Sequence, residues 1–144
     1  MALRVINRVI VFDRRNERML LVRNRGANFW YAPGGGWNYQ KEDLANGAIR
    51  EICEEVGIQV RISHILYVRP FQPASNVMQL EIFWLAAPMR VTLPKYHIDR
   101  HGLVEEARWF KQPELHALRV FPERLKIAFW ETDIHNSFNC YLDK

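Results

Sequence analysis

Three glutamates, Glu51, Glu54 and Glu55, crowd one short stretch that follows Arg50 and lies downstream of the triplet Gly34-Gly35-Gly36. At about 100° per residue of an α-helix, their carboxylates fall inside an arc of roughly 100°. Ala45, Ala48, Ile49, Ile52, Cys53 and Val56 fall on a broad apolar face on the other side. Carboxylates so close together repel one another. A hard divalent cation such as Mg²⁺ or Mn²⁺, which takes oxygen ligands, offsets that repulsion. A solvated acidic helix face carries the same residue types, so the charges alone leave both readings open.

The register separates them. Residues 36–58, GWNYQKEDLANGAIREICEEVGI, resemble the Nudix box, G-x5-E-x7-R-E-U-x-E-E-x-G-U with U a bulky aliphatic residue. Gly36, Glu42, Arg50, Glu51, Ile52, Glu54, Glu55, Gly57 and Ile58 fill every fixed position without a gap. Enzymes of the Nudix hydrolase family cleave a phosphoanhydride in a nucleoside diphosphate linked to another moiety. The resemblance therefore implies a pyrophosphohydrolase with Mg²⁺ as cofactor and Mn²⁺ as the alternative. It makes Glu54 and Glu55 the main metal ligands, aided by the Gly36 carbonyl, and Glu51 a further ligand or the general base. Arg50 would orient Glu51 and Glu55 through charge-assisted bonds that suit its planar fork. Glu42 would tie the loop to the helix or join the metal shell. Family members often add an acidic residue from a late loop; Glu105 and Glu106 are candidates, with Asp99 third.

Substrate contacts are less determined. Arg23 could grip a phosphate or be an exposed hairpin arginine. Trp30, Tyr31 and Trp37 flank the glycines, and an aromatic face can stack on a purine. Core packing suits Trp30 and Tyr31 equally well, so Trp37 is the better stacking candidate. His97 and His101 are candidate substrate contacts or ordinary exposed histidines. Relatives acting on ADP-ribose tend to carry a proline about fifteen residues past the box, and Pro73 stands there. ADP-ribose is thus the first substrate expected. Nucleoside triphosphates, dinucleoside polyphosphates and RNA 5′ ends are the enzymatic alternatives, and a non-catalytic nucleotide sensor is the alternative of another class. A sensor has no need for all three glutamates.

Elements must position these groups. Residues 3–12 and 18–22 read as a hairpin of two strands, and residues 29–31 as a short aromatic strand entering the glycines. Asp43 is a candidate N-cap for the box helix, with Glu42 in or near its first turn, and Gly57 its C-terminal stop. Residues 60–68 read as a strand, 69–76 as a loop containing Pro70 and Pro73, 77–87 as an apolar strand, and 105–110 as a further strand. Short helices are expected over 113–117 and after Pro122. This pattern is α/β or α+β; the resemblance sharpens it to a Nudix-type α/β/α sandwich with a mixed central sheet, and residues 1–144 to a single domain.

Composition agrees. At 144 residues, with 49% hydrophobic and 25% charged, the chain suits one folded core. Its net charge of +4 suits a polyanionic small-molecule nucleotide. No basic run with interleaved aromatics marks a nucleic-acid groove. No apolar stretch reaches membrane-spanning length. Cys53 and Cys140 are the only cysteines, with no disulfide framework, and a reducing cytoplasm is expected. Cys53 is expected to pack as a small hydrophobe. A homodimer is compatible with all of this.

Overall fold

Residues 9–12 and 19–22 are apolar without alternation, the pattern of strands covered on both faces. The computed structural model, which describes residues 2–135, places them at the centre of the sheet. Strand β1 (Ala2–Asp13) turns into β2 (Arg18–Asn24). Val9, Val11, Leu20 and Val22 face one apolar cluster, and Ile10, Phe12, Met19 and Leu21 face a second on the opposite side.

The two central strands stay together only at the hairpin, where Phe12 pairs with Met19 and Asp13 with Arg18. Beyond that, β1 runs parallel to β6 (Val77–Pro88), outside which β5 (Val60–Ala74) lies antiparallel. Strand β2 instead takes β7 (Val104–Lys111) and β3 (Phe29–Tyr31), and β8 (Arg119–Phe121) runs parallel to β3. The triple-glycine strand β4 (Gly34–Gly36) pairs back onto β1, from Ile6 opposite Gly36 to Arg8 opposite Gly34. Strands β3 and β4 therefore bridge a mixed eight-stranded sheet where β1 and β2 part.

Helix α1 (Leu44–Val56) covers one face through Ala48, Ile52 and Val56. Its start is set by Asp43, whose Oδ1 accepts the Asn46 N–H at 2.8 Å, and its end by Gly57, left-handed at φ 82°. Both caps are as expected from the sequence. Ile52 is wholly buried, so Ile52→Ala would cost about 2–5 kcal/mol through transfer and cavity terms. On the opposite face Leu115, Leu125 and Phe129 are wholly buried. They come from helical turns at Gln112–Leu115 and Glu123–Leu125 and from the four-residue α2 (Ala128–Glu131). The α/β class and mixed sheet are as expected, with the second helical layer made of single turns. Runs this short, interrupted by Pro122, hold helical turns by burial rather than by propensity.

Three local expectations are corrected. The loop expected over residues 69–76 shrinks to a turn at 75–76, because β5 continues through Pro70 and Pro73 to Ala74. β5 is a sheet edge, with register shifts that include Phe71/Ala74, and an edge strand tolerates prolines because an outward N–H needs no partner. Glu42 precedes the helix rather than lying in its first turn. Cys53 is exposed, because Glu51 and Glu55 share the buried face with Gly47, Ala48, Ile52 and Val56 and turn Cys53 outward. Cys140 lies outside the described residues.

Candidate active site

Two of the glycines of β4 are required by close approach, Gly34 by that of β1 and Gly35 by that of the box helix. A Cβ at Gly34 would sit 1.9 Å from the Asn7 carbonyl oxygen, and one at Gly35 2.3 Å from Glu51 Oε2. Only bare backbone fits between β1 and the carboxylate. Asn7, wholly buried, locks the same junction: its Nδ2 donates to the Leu44 carbonyl at 3.1 Å and its Oδ1 accepts the Trp84 indole N–H at 2.8 Å.

Arg50 gathers the carboxylates. Its Nη1 donates to Glu51 Oε1 at 2.9 Å and to Glu54 Oε2 at 3.0 Å, and its Nη2 donates to the Gly36 carbonyl at 3.3 Å. Its Nε and Nη2 hold Glu42. The partner expected for Arg50 in Glu55 is taken by Glu54 instead. Glu55 sits deeper, only 8% exposed. Its Oε2 accepts the Gly34 N–H at 3.4 Å, while Oε1 is buried without a hydrogen-bond partner among the described residues. Burial, helped by the charges of Asp99 and Glu51 and opposed by Arg8, pushes the Glu55 carboxyl up to about 8. A cation beside Oε1 would supply the missing partner. The donor set of carboxylates and a carbonyl is the oxygen set that Mg²⁺ and Mn²⁺ take, so these residues fit such an ion.

Glu51, Glu55 and the glycines line a cavity of about 470 Å³, together with Arg4, Arg8, Tyr31, Asp99 and His101. A second cavity, about 550 Å³, shares Arg8, Tyr31 and Leu103 with it and is walled by Phe29, Phe71, Phe83 and Phe121. Its charged edge is a triad. Glu81, 7% exposed, accepts from Arg8 Nε at 3.2 Å and from Arg69 Nη1 at 2.7 Å. Sequence reasoning singled out neither Arg8 nor Arg69. The available signals were Arg8, directly ahead of the apolar residues 9–12 in the first strand, and Glu81, the lone charge of the sixth.

The remaining candidates fall in different places. Arg23 pairs with Glu105 at 3.0 Å and Glu106 at 3.5 Å and lies over the Trp30 ring, so these three charges satisfy one another outside the carboxylate cavity. Glu105 and Glu106 line a neighbouring cleft with Glu55, His97 and Asp99. Trp30 is buried in the core, while Tyr31 is half-buried and faces both main cavities. Trp37 donates its indole N–H to the Glu42 carbonyl at 3.1 Å and lines a third cleft with Tyr39 and Arg4. Pro73 is exposed on β5 and lines neither main cavity, whereas Phe71 lines the aromatic one.

Comparison with known proteins places this arrangement in a class. The family model described as NUDIX domain matches residues 3–130, and the chain belongs to that family. The human protein "Nucleoside diphosphate-linked moiety X motif 6" is 38% identical over 61 residues, which is 41% of this chain and 19% of the human protein. The matched part thus spans about a fifth of that relative's length. A UDP-X diphosphatase structure superposes with TM-score 0.73 at 18% identity, covering 97% of this chain and 66% of that one. An ADP-ribose pyrophosphatase from Streptococcus suis superposes with TM-score 0.69 at 13% identity, covering 98% of each chain. Family membership and the shared fold bear out the expected Nudix family and its α/β fold.

Proposed function

We propose that this chain, acting as one domain, hydrolyses the pyrophosphate linkage of a nucleoside diphosphate joined to a second moiety, with ADP-ribose as the first substrate to test. One observation supports this reading: the carboxylate cavity adjoins an aromatic-walled cavity and shares Arg8, Tyr31 and Leu103 with it. The first suits the charged linkage, and the second suits a flat ring or sugar.

Glu54 and Glu55, with the Gly36 carbonyl, are assigned to hold a divalent cation, and Glu51 either shares the ion or takes the proton of the attacking water. Such an ion, when bound, offsets phosphate charge and lowers the pKa of water. Arg50 keeps Glu51 and Glu54 in register. Arg4 and Arg8 line the same cavity and are assigned to attract and orient the phosphates. Leu103 and Tyr31, common to both cavities, are assigned to shield the linkage from water. Pro73, far from these walls, is assigned at most to stiffening the strand that carries Phe71.

No helix among the described residues is long and apolar enough to cross a membrane. The free thiol of Cys53 supports a reducing compartment, and the cytoplasm is proposed. Incubation with ADP-ribose, other nucleoside diphosphate conjugates, triphosphates and dinucleoside polyphosphates in the presence of Mg²⁺, followed by chromatography, tests the assignment. The expected result is AMP and ribose 5-phosphate from ADP-ribose, faster than turnover of any triphosphate. A triphosphate preferred by about tenfold in kcat/KM would reject ADP-ribose as substrate and leave the pyrophosphatase reading standing. No turnover of any compound would reject both.

A further inference from the structure

The segment between β6 and β7 is fastened to the box helix at Glu54. His97 Nε2 lies 2.7 Å from the Glu54 carbonyl, and its ring packs so closely on Gly57 that a Cβ there would come within 2.6 Å of Nδ1. Arg100 Nη1 donates to Glu54 Oε1 at 2.7 Å. Inside the segment the buried Asp99 accepts the backbone N–H groups of His101, Leu103 and Val104, at 3.2, 3.0 and 3.0 Å. These contacts hold the next residue, His101, over the carboxylate cavity.

His101 Nε2 stands 4.0 Å from Glu54 Oε2, too far for a hydrogen bond. A His101 nitrogen and carboxylate oxygens of Glu51 and Glu54 all lie within 4.8 Å of one another. Ligand atoms at about 2.1 Å from one ion stand roughly 3–4 Å apart, so a small inward movement brings all three onto a single ion. A separate observation lies at the same cavity: Glu55, which lines it and is 8% exposed, has Oε1 buried with no hydrogen-bond partner among the described residues.

We propose that His101 is a metal ligand, joining Glu51 and Glu54 in a mixed nitrogen–oxygen site that favours Mn²⁺ over Mg²⁺. The inference rests on the metal-dependent reading of the site given above. The selectivity follows from ligand chemistry. Mg²⁺ dehydrates reluctantly and prefers an all-oxygen octahedron, whereas later divalent ions of the first transition row accept imidazole more readily. An all-carboxylate box would discriminate less.

The test is made on the full chain. Mn²⁺ is titrated and followed by calorimetry and by pulsed EPR, and Mg²⁺ by calorimetry. The wild type loaded with Mn²⁺ should show a directly coordinated nitrogen whose coupling changes when histidine alone is labelled with ¹⁵N. His101→Ala should lose that signal and bind Mn²⁺ about tenfold or more weakly, while Mg²⁺ affinity moves by less than about threefold. His97→Ala should keep the signal. Absence of coordinated histidine nitrogen in the wild type, its survival in His101→Ala, or unchanged Mn²⁺ affinity in that variant would overturn the proposal. Hydrolysis of the nucleotide panel by the wild type is scored separately. Turnover without a coordinated nitrogen rejects His101 and keeps the enzymatic reading; a coordinated nitrogen without turnover does the reverse.

Discussion

Arg50 donates through Nε and Nη2 to both carboxylate oxygens of Glu42, at 2.7 and 2.6 Å, tying the end of the glycine loop to the middle of the box helix. That bond, more than the opposing burial, holds Glu42 below the usual carboxylate range and pushes the Arg50 guanidinium up. The same guanidinium reaches Glu51, Glu54 and the Gly36 carbonyl. Lysine would keep the charge and lose this fork. Arg50→Lys should therefore lower kcat by roughly tenfold or more, about 1.4 kcal/mol in the barrier, and lower Tm by only a few degrees. Steady-state kinetics beside thermal denaturation checks it. Equal rates would show Arg50 to be a solvated helix residue.

Glu55 carries a buried oxygen with no partner, an arrangement that destabilises the metal-free protein. Glu55→Gln removes a carboxyl whose ionisation is opposed by burial and should raise metal-free Tm slightly, by roughly 1 kcal/mol of stability. It should also cut kcat/KM by about a hundredfold or more, because the lost oxygen is the one assigned to the ion. Calorimetric scans in a chelator, with assays in Mg²⁺, give both numbers. A lower metal-free Tm would mean that Glu55 stabilises the fold.

Arg100, 71% exposed, occupies Glu54 Oε1 where a cation is expected. Removing it removes a competitor that is itself weakly held, as exposed ion pairs are. Arg100→Ala should tighten Mg²⁺ binding by about threefold at low ionic strength, and the gain should shrink at high salt. Weaker Mg²⁺ binding in the variant would show that the hold of Arg100 on the His101 segment outweighs its competition for Glu54.

Phe121 is 46% exposed, packs edge-on against Phe29 with ring centroids 5.4 Å apart, and lines the aromatic cavity. It touches none of the carboxylates. Phe121→Ala should raise KM for the best substrate about tenfold while kcat changes less than threefold, the signature of binding shared by ground and transition states. A fall confined to kcat would place the substrate elsewhere.

Asp133 sets an acid limit on stability. Burial raises its carboxyl, but bonds from Arg124 Nε and Nη2, at 2.6 and 2.8 Å, and from the Tyr67 hydroxyl outweigh that and hold it below the usual aspartate range. A depressed folded-state value means that the stabilisation is complete above the unfolded value and fades as pH falls through the folded one. Asp133→Asn should cost about 2 kcal/mol at pH 7. The gap from wild type should close below about pH 4. Denaturation midpoints of both proteins from pH 7 to pH 2 give the profile, and a gap that stays constant would remove Asp133 from the account.

Some of this was determined by local sequence. The box, its helix, both caps and the two-faced central strands depend on spacing and propensity within a few turns or residues, which a linear reading captures. The crowding of Glu51, Glu54 and Glu55 with Arg50 is of that kind. Tertiary structure decided which of those carboxylates are buried, because that depends on β4 lying against α1, with Gly35 admitting Glu51 where no side chain could fit. It also decided Arg8 and Arg69. They meet at Glu81 because β1 runs parallel to β6 and β5 antiparallel to it, a pairing across dozens of residues that no periodicity records. The prolines of β5 misled for the complementary reason. Pro70 and Pro73 signal a loop in isolation, and only the position of β5 at a sheet edge leaves their missing N–H groups without consequence. His101 came to the site in the same way, through Asp99 and Arg100 folding a distant segment onto Glu54. Chemistry carried within one helix was legible from residue order, and chemistry assembled across the sheet was not, because strand pairing is set by burial of the whole core.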